Sequence, residues 1–420
     1  MPNAASIAQE SRSALRCNGA RLWDSLMTLA RIGATPAGGV RRLTLTELDG
    51  ESRRLTMDWL RDCGCTIRID AIGNIHATRP GTEDLDPIGI GSHLDTQPNG
   101  GRFDGAYGVM AGLEVLRSLD DHGIRTRHPV NVTVWTNEEG SRFTPVMMGS
   151  GVYAGAFTLE HCLGQRDRDG HSVGDALEAI GFAGRDAAPA LAAYFEPHIE
   201  QGPILEAEAI TIGAVETALG QRWFDVVIAG QDAHAGPTPL AMRRDALLGA
   251  ARVIAAVRRI AEDHPDEARG TVGQLDVTPN SRNVIPGRVE LTVDLRNARD
   301  ETLSQMVEAL RNECASIAAE DGLRITLEEV VYFPPCRFDP ALVAAIEDAA
   351  SRLGHSHRRI ASGAGHDAVY VARRHRAAMI FVPCEGGISH NEIENAQPEH
   401  LAAGTDVLLE AVLAFDRGAA

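Results

Sequence analysis

The sequence predicts an α/β protein: a larger domain with a central mixed β-sheet flanked by helices, interrupted by an inserted βαββαβ two-layer sandwich. Three observations predict this. Strand and helix patterns alternate through the first half, the order changes between about 213 and 330, and the alternation resumes afterwards. The expected boundaries are 1–212 and 331–420 for the larger domain and 213–330 for the insertion. A chain of 420 residues is long enough for two such cores.

Each element has its local reason. Residues 20–32 and 51–61 carry apolar side chains at helical spacing, and Thr66–Ile69 with 74–77 suggests a hairpin. Residues 87–93 and 129–135 read as short buried strands separated by a helical run at 108–119. In the inserted part, 223–229 reads as a strand and 240–260 as one amphipathic helix. Strands at 271–277 and 288–295, a helix at 301–319 and a strand at 324–331 follow, which is the split βαβ order. A helix at 341–353, a strand at 378–382 and a helix at 399–415 complete the larger domain.

Forty basic residues against fifty-eight acidic ones leave a formal charge of −18, which argues against nucleic acid or an anionic membrane as partner. There is no lysine, so Schiff-base catalysis, the P-loop lysine and Ser-x-x-Lys acylases are excluded. The seven cysteines, an odd number without Cys-x-x-Cys spacing, do not read as a disulfide framework or a zinc ribbon. Neither an apolar core in the first twenty residues nor a run of about eighteen apolar residues is present, so a cytoplasmic protein is expected.

Two motifs are decoys. Gly170-His171-Ser172-Val173-Gly174 matches a nucleophile elbow, yet a polar run replaces the buried strand an elbow needs, and Ser172 reads as a helix cap. Gly363-Ala364-Gly365-His366-Asp367-Ala368 matches a loose dinucleotide fingerprint, but residues 358–361 are too polar and short for a central parallel strand.

The stronger signal is a set of imidazoles and carboxylates at strand ends. His93 and Asp95 stand two residues apart on what reads as one strand, so their side chains share a face. Asp104 follows in the glycine-rich Gly100–Gly105 stretch, where glycine lets backbone crowd a small polar site. Glu138 and Glu139 end the next strand, and His198 and His390 lie in further glycine-bracketed stretches. Imidazole plus carboxylate suits zinc, manganese, cobalt or nickel, and a carboxylate can bridge two ions.

Eight stretches carry a resemblance in order along nearly the whole chain: Gly91-Ser92-His93-Leu94-Asp95-Thr96, residues 101–105, Thr136-Asn137-Glu138-Glu139-Gly140, residues 198–203, Ala233-His234-Ala235-Gly236, Asn283-Val284-Ile285-Pro286-Gly287, Asp294-Leu295-Arg296 and residues 362–368. The chain resembles the M20 metallopeptidase clan, specifically its amidase branch of N-carbamoyl-L-amino acid hydrolases, β-ureidopropionases and allantoate amidohydrolases. That resemblance implies two divalent ions, zinc first, with manganese, cobalt or nickel as the others. Asp104 would bridge them, with His93 and His198 on one ion and Glu139 and His390 on the other. Glu138 would be the general base, and Asp95 would buttress His93 from behind.

The resemblance assigns the rest to the pocket. His234 would polarise the carbamoyl oxygen, Gln201 and Asn283 would hydrogen-bond the substrate, Arg296 would clamp its carboxylate and His366 would help complete the pocket. The insertion becomes a lid and a homodimerisation domain. Plainer readings stand beside these: Asn283 as a residue that shapes the turn before Pro286, and Arg296 as an ion-pair partner of Asp294 or Asp300. The implied reaction converts an N-carbamoyl amino acid to the amino acid, carbon dioxide and ammonia. Allantoate or another ureido acid, an aminoacylase or peptidase of the same clan, and a non-enzymatic binding protein are the alternatives.

Overall fold

The computed structural model describes residues 15–265 and 267–420. The first fourteen residues, on which the expectation of no secretory leader partly rests, lie outside them. The chain divides into two compact units. One takes in residues up to Glu216, Phe338–Ile360 and Gly365–Ala420, and the other Thr217–Arg337 and Ala361–Ala364.

In the first unit a mixed sheet runs, in spatial order, Thr66–Ile69, Ile75–Arg79, Val130–Trp135, Ile88–His93, Ala193–Ile199, Ala377–Val382 and Ile212–Ala218. The four central strands are mutually parallel and buried along their whole length, as strands covered on both faces must be. Helices Gly19–Leu29, Ala106–Asp121, Pro340–Leu353 and Pro398–Asp416 pack against the sheet and one another. Their ends carry ordinary stop and start chemistry. Asp339 caps Pro340–Leu353 by accepting from the Ala341 and Leu342 amides, with proline in the first turn and Gly354 closing the helix at φ 77°. Ser172, the elbow decoy, caps Val173–Ile180 in a reciprocal capping box with Asp175.

The Ala193–Ile199 strand escaped the sequence reading because Glu196, Pro197 and His198 interrupt its apolar run. Pro197 is tolerated because pairing with the His93 strand stops at Phe195. The strand carrying His93 ends at that residue, so Asp95 lies beyond it and the shared-face argument for the pair does not hold.

The second unit holds a four-stranded antiparallel sheet in the order Arg324–Phe333, Gly220–Ala229, Arg288–Asn297, Arg269–Thr278. Helices Ala246–Glu262 and Asp300–Asp321 pack on it around a core that includes Phe224, Val253, Leu291, Leu303 and Leu310. The single helix expected at 240–260 is two elements. A 3-10 turn spans Leu240–Met242, and Asp245 then starts Ala246–Glu262 by accepting from the Leu247 and Leu248 amides.

Candidate metal centre

Because the central strands are parallel, their carboxyl ends gather on one edge of the sheet, where open α/β sheets put their chemistry. His93 is level with Trp135, so the chain past Trp135 delivers Glu138 and Glu139 beside it, and His198 is level with Phe381 on its other neighbour. Asp104 enters from the glycine loop that opens helix Ala106–Asp121. Gly105 there has φ 63°, and a Cβ on it would lie 2.4 Å from the His93 ring, so only glycine lets the loop close over the imidazole.

Asp104 is the centre of the arrangement. Its Oδ1 lies 3.6 Å from His93 Nε2 and 3.3 Å from His198 Nε2, and its Oδ2 lies 3.2 Å from His390 Nε2. His390 Nε2 is in turn 3.3 Å from Glu139 Oε2. Two ligand groups result, His93–Asp104–His198 and Asp104–Glu139–His390, each with donor atoms within 4.8 Å of one another. One carboxylate thus turns one oxygen to each group, which suits a pair of divalent ions.

The imidazoles are oriented from behind. His93 Nδ1 lies 2.9 Å from the Asp95 carbonyl and His198 Nδ1 2.9 Å from the Ile199 carbonyl. A carbonyl only accepts, so Nδ1 carries a proton and Nε2 faces the site, where its lone pair becomes available to a metal once any proton there has left. Asp95 therefore holds His93 through its main chain. Its carboxylate is 3.9 Å from Nδ1 and instead faces the backbone amides of Glu138 at 3.4 Å and Glu139 at 3.3 Å.

The electrostatics follow from buried anions around imidazoles. Burial raises Glu138 well above the usual carboxylate range, with His93 opposing and Asp367 adding to the rise. Burial and then Asp104 push Glu139 up to about 7. The hydrogen bond to Asp104 is the main cause that lifts His390 to about 9. Burial would depress His93, but Glu138, Asp104 and Asp95 outweigh it and hold the ring well above its ordinary value. Glu138 Oε2 lies 3.6 Å from His93 Nε2 and belongs to neither ligand group, whereas its neighbour Glu139 does.

Gln201 and His366 stand against the same cluster. Gln201 Nε2 donates to Asp104 Oδ2 at 3.0 Å and to Ser389 Oγ at 3.1 Å. The buried His366 ring lies 4.5 Å from that of His198, and burial with the His198 charge holds its pKa well below the ordinary value. Two further residues escaped the sequence reading. Gln97 donates its backbone N–H to Glu139 Oε1 at 3.0 Å and its side-chain amide to Oε2 at 2.7 Å. Glu394 accepts from the Phe103 and Asp104 amides at 2.9 and 3.1 Å. Their only signal is closeness in sequence to Asp95 and His390.

His234, Asn283 and Arg296 belong to the second unit. His234 ends a two-residue strand paired with Val284–Ile285, and the Ala235 amide donates to the Asn283 carbonyl at 2.9 Å. The Gly236 amide donates to His234 Nδ1 at 3.1 Å, which puts the ring proton on the exposed Nε2. Arg296 pairs with Asp294, one of the two partners its plainer reading named. Its Nε and Nη2 lie 3.0 and 2.8 Å from Asp294 Oδ2, and Nη1 donates to the Gly363 carbonyl at 2.8 Å.

The model of peptidase family M20/M25/M40 matches residues 89–414. The chain belongs to this family. An N-carbamoyl-L-amino-acid amidohydrolase of Rhizobium meliloti is 48% identical over 95% of this chain and 96% of its own length. An allantoate amidohydrolase of Bacillus subtilis is 34% identical over 92% and 95%. The crystal structure of a hydantoinase/carbamoylase family amidase from Burkholderia multivorans superposes with a TM-score of 0.93 at 55% identity, covering 95% of this chain and 98% of that one. Within M20, then, the chain falls in the amidase branch, and it is a hydrolase of C–N bonds. The divalent metals that the M20 family generally uses agree with the two ligand groups. Among the described residues no helix is long and apolar enough to cross a membrane.

Proposed function

We propose that this M20 amidase cleaves the carbamoyl group from N-carbamoyl amino acids, N-carbamoyl-L-amino acids or N-carbamoyl-β-alanine, releasing the amino acid, carbon dioxide and ammonia. The observation that carries the reading is Asp104 shared between two ligand groups with Glu138 beside them. The carbamoylase at 48% identity supports the choice of substrate. Two divalent ions held there, with zinc first and manganese, cobalt or nickel as the others, would polarise the ureido carbonyl and acidify a water. Glu138 takes that water's proton and returns it to the leaving nitrogen; burial, by raising its pKa, brings it closer to neutral pH, where general bases work best. The exposed Nε2–H of His234 donates to the carbonyl oxygen as charge develops on it. Gln201, Asn283 and the neutral His366 hydrogen-bond the substrate, and Arg296 grips its carboxylate. The carbamic acid released decomposes to carbon dioxide and ammonia.

We further propose that the second unit is a lid and a homodimerisation domain, with His234 completing the partner's site. Arg269–Thr278 is an edge strand, and Leu247, Leu248 and Ile254 are exposed on the neighbouring helix, features that favour pairing with a second copy. Seven free cysteines support a cytoplasmic setting.

The test is an ammonia-release screen over N-carbamoyl amino acids, allantoate and N-acyl amino acids, run on chelated and metal-restored protein. Carbamoyl substrates should lead, chelation should abolish turnover, and zinc, manganese, cobalt or nickel should restore it. Full activity in metal-free protein would defeat the two-ion reading. A preference for allantoate would move the substrate to that ureido acid.

A further inference from the structure

No step of the reaction above uses Glu394, although it is 1% exposed and lies four residues past His390 in the same loop. Its carboxylate makes three contacts. Oε1 accepts from the backbone N–H groups of Phe103 and Asp104 at 2.9 and 3.1 Å, and Oε2 accepts from Ser389 Oγ at 2.8 Å. It therefore joins the residue before His390 to the backbone that carries the bridging Asp104. The chain is cut to make room for it. A Cβ on Gly101 would lie 2.0 Å from Glu394 Oε1, and one on Gly39 would lie 2.6 Å from the Cα of Glu392. The glycine loop read from the sequence as a place for close approach is thus filled by this carboxylate.

The two ligand groups do not need such a tie equally. His93 and His198 belong to central strands, at 1% and 0% exposure, so the sheet positions them whatever the loops do. The His390 side chain is 51% exposed and its backbone sits at φ 54°, outside any strand. We propose that Glu394 is a positioning residue that fixes the His390 loop to the Asp104 backbone, and so builds the group Asp104–Glu139–His390 in preference to His93–Asp104–His198. The proposal rests on the reading that these groups hold ions.

The experiment is a calorimetric titration of metal-free protein with zinc, and with cobalt followed by its absorption. The parent should bind two equivalents. In Glu394→Ala one equivalent should keep its affinity within about threefold, while the other weakens by about ten- to a hundredfold, the range for losing a group that orients a ligand. At limiting metal the variant's kcat should fall with KM nearly unchanged, and excess metal should restore it. Glu394→Gln should recover most of the lost affinity, because its carbonyl can accept from both amides and its NH2 can donate to Ser389. Gly101→Ala keeps the carboxylate but displaces it, and should reproduce the alanine phenotype even if Glu394→Ala does not fold. Two equivalents bound as in the parent, or both weakened alike, would overturn the proposal. A parent that binds fewer than two equivalents would instead strike the two-ion reading beneath it.

Discussion

In the first unit the candidate ligands gather at the carboxyl edge of the parallel strands, His93 and His198 on the strands themselves and Asp104, Glu139 and His390 on loops, and all but His390 are buried; in the second, His234 and Asn283 are exposed on a short ribbon and Arg296 is half-buried on a sheet. The first set is saturated with internal contacts: His93 and His198 to carbonyls, Glu139 to Gln97, and Asp104 to Gln201 and three imidazoles. The second set keeps capacity in hand: among the described residues His234 is held through Nδ1, and Asp294 with the Gly363 carbonyl take three of the five Arg296 N–H groups. On the proposed roles this is what is expected: a metal centre must exist before substrate arrives, whereas groups that recognise substrate must leave hydrogen bonds unmade until it does. The contrast predicts that damage to the two regions will differ in kind, in metal content for one and in turnover for the other.

Glu138→Gln should have the largest effect, because it removes the proposed proton carrier and spares the candidate ligands. The kcat should fall by about two to four orders of magnitude, with metal content by mass spectrometry unchanged. Loss of metal in this variant would mean that Glu138 and Glu139 have each other's roles.

His234→Ala should also be nearly inactive with full metal content, and mixing separates the two regions across subunits. A heterodimer of Glu138→Gln and His234→Ala chains, isolated on two tags, should hold one site with both groups intact and one with neither. Its rate should recover to as much as about half that of the parent if sites act independently. A purified heterodimer as inactive as its parents would assign His234 to its own chain and break the shared-site proposal.

Arg296→Ala comes next, at about 1.5–3 kcal/mol in kcat/KM for a lost charge-assisted contact. Arg296→Lys should rescue poorly, since a point charge cannot reproduce the fork. Unaltered kinetics would leave that side chain only its contacts with Asp294 and the Gly363 carbonyl.

The smallest effect concerns protons. His93, His198 and His390 all have raised pKa values in the metal-free protein, His390 at about 9, and Glu139 stands at about 7. With its pKa near 9, His390 holds a proton at neutral pH that metal must displace. Zinc uptake at pH 7 should release protons, and apparent affinity should strengthen as pH rises toward about 9 and weaken as it falls. Calorimetry in buffers of different ionisation enthalpy reads the count, and no release would contradict the charge state derived for the cluster.

The sheet and its catalytic edge were legible because the buried central strands are short apolar runs and the ligand candidates interrupt them at their ends. Ile88–His93 and Val130–Trp135 show both features, whereas Ala193–Ile199 buries a glutamate, a proline and a histidine and hides its strand. Leu240 and Met242 look like the first turn of a helix, although Asp245 caps one only later. Glu394 and Gln97 could not be read, because the Phe103 and Asp104 amides lie far along the chain from Glu394 and Glu139 lies across a strand pair from Gln97.

Asn137, Gln201 and His390 have φ values of 54°, 56° and 54°, in the left-handed region that β-branched side chains reject. Each of these positions therefore answers two demands, one on its backbone and one on its side chain: Asn137 Nδ2 donates to the Phe143 and Pro145 carbonyls, Gln201 to Asp104, and His390 faces Asp104 and Glu139. For anyone redesigning the protein, this divides the loops around the site into positions of unequal mutability. Libraries that offer valine, isoleucine or threonine at 137, 201 or 390 would mostly return misfolded loops rather than altered specificity. Asparagine, aspartate, histidine and glycine are what the backbone accepts there, and at 390 the histidine is also needed for its ligand group.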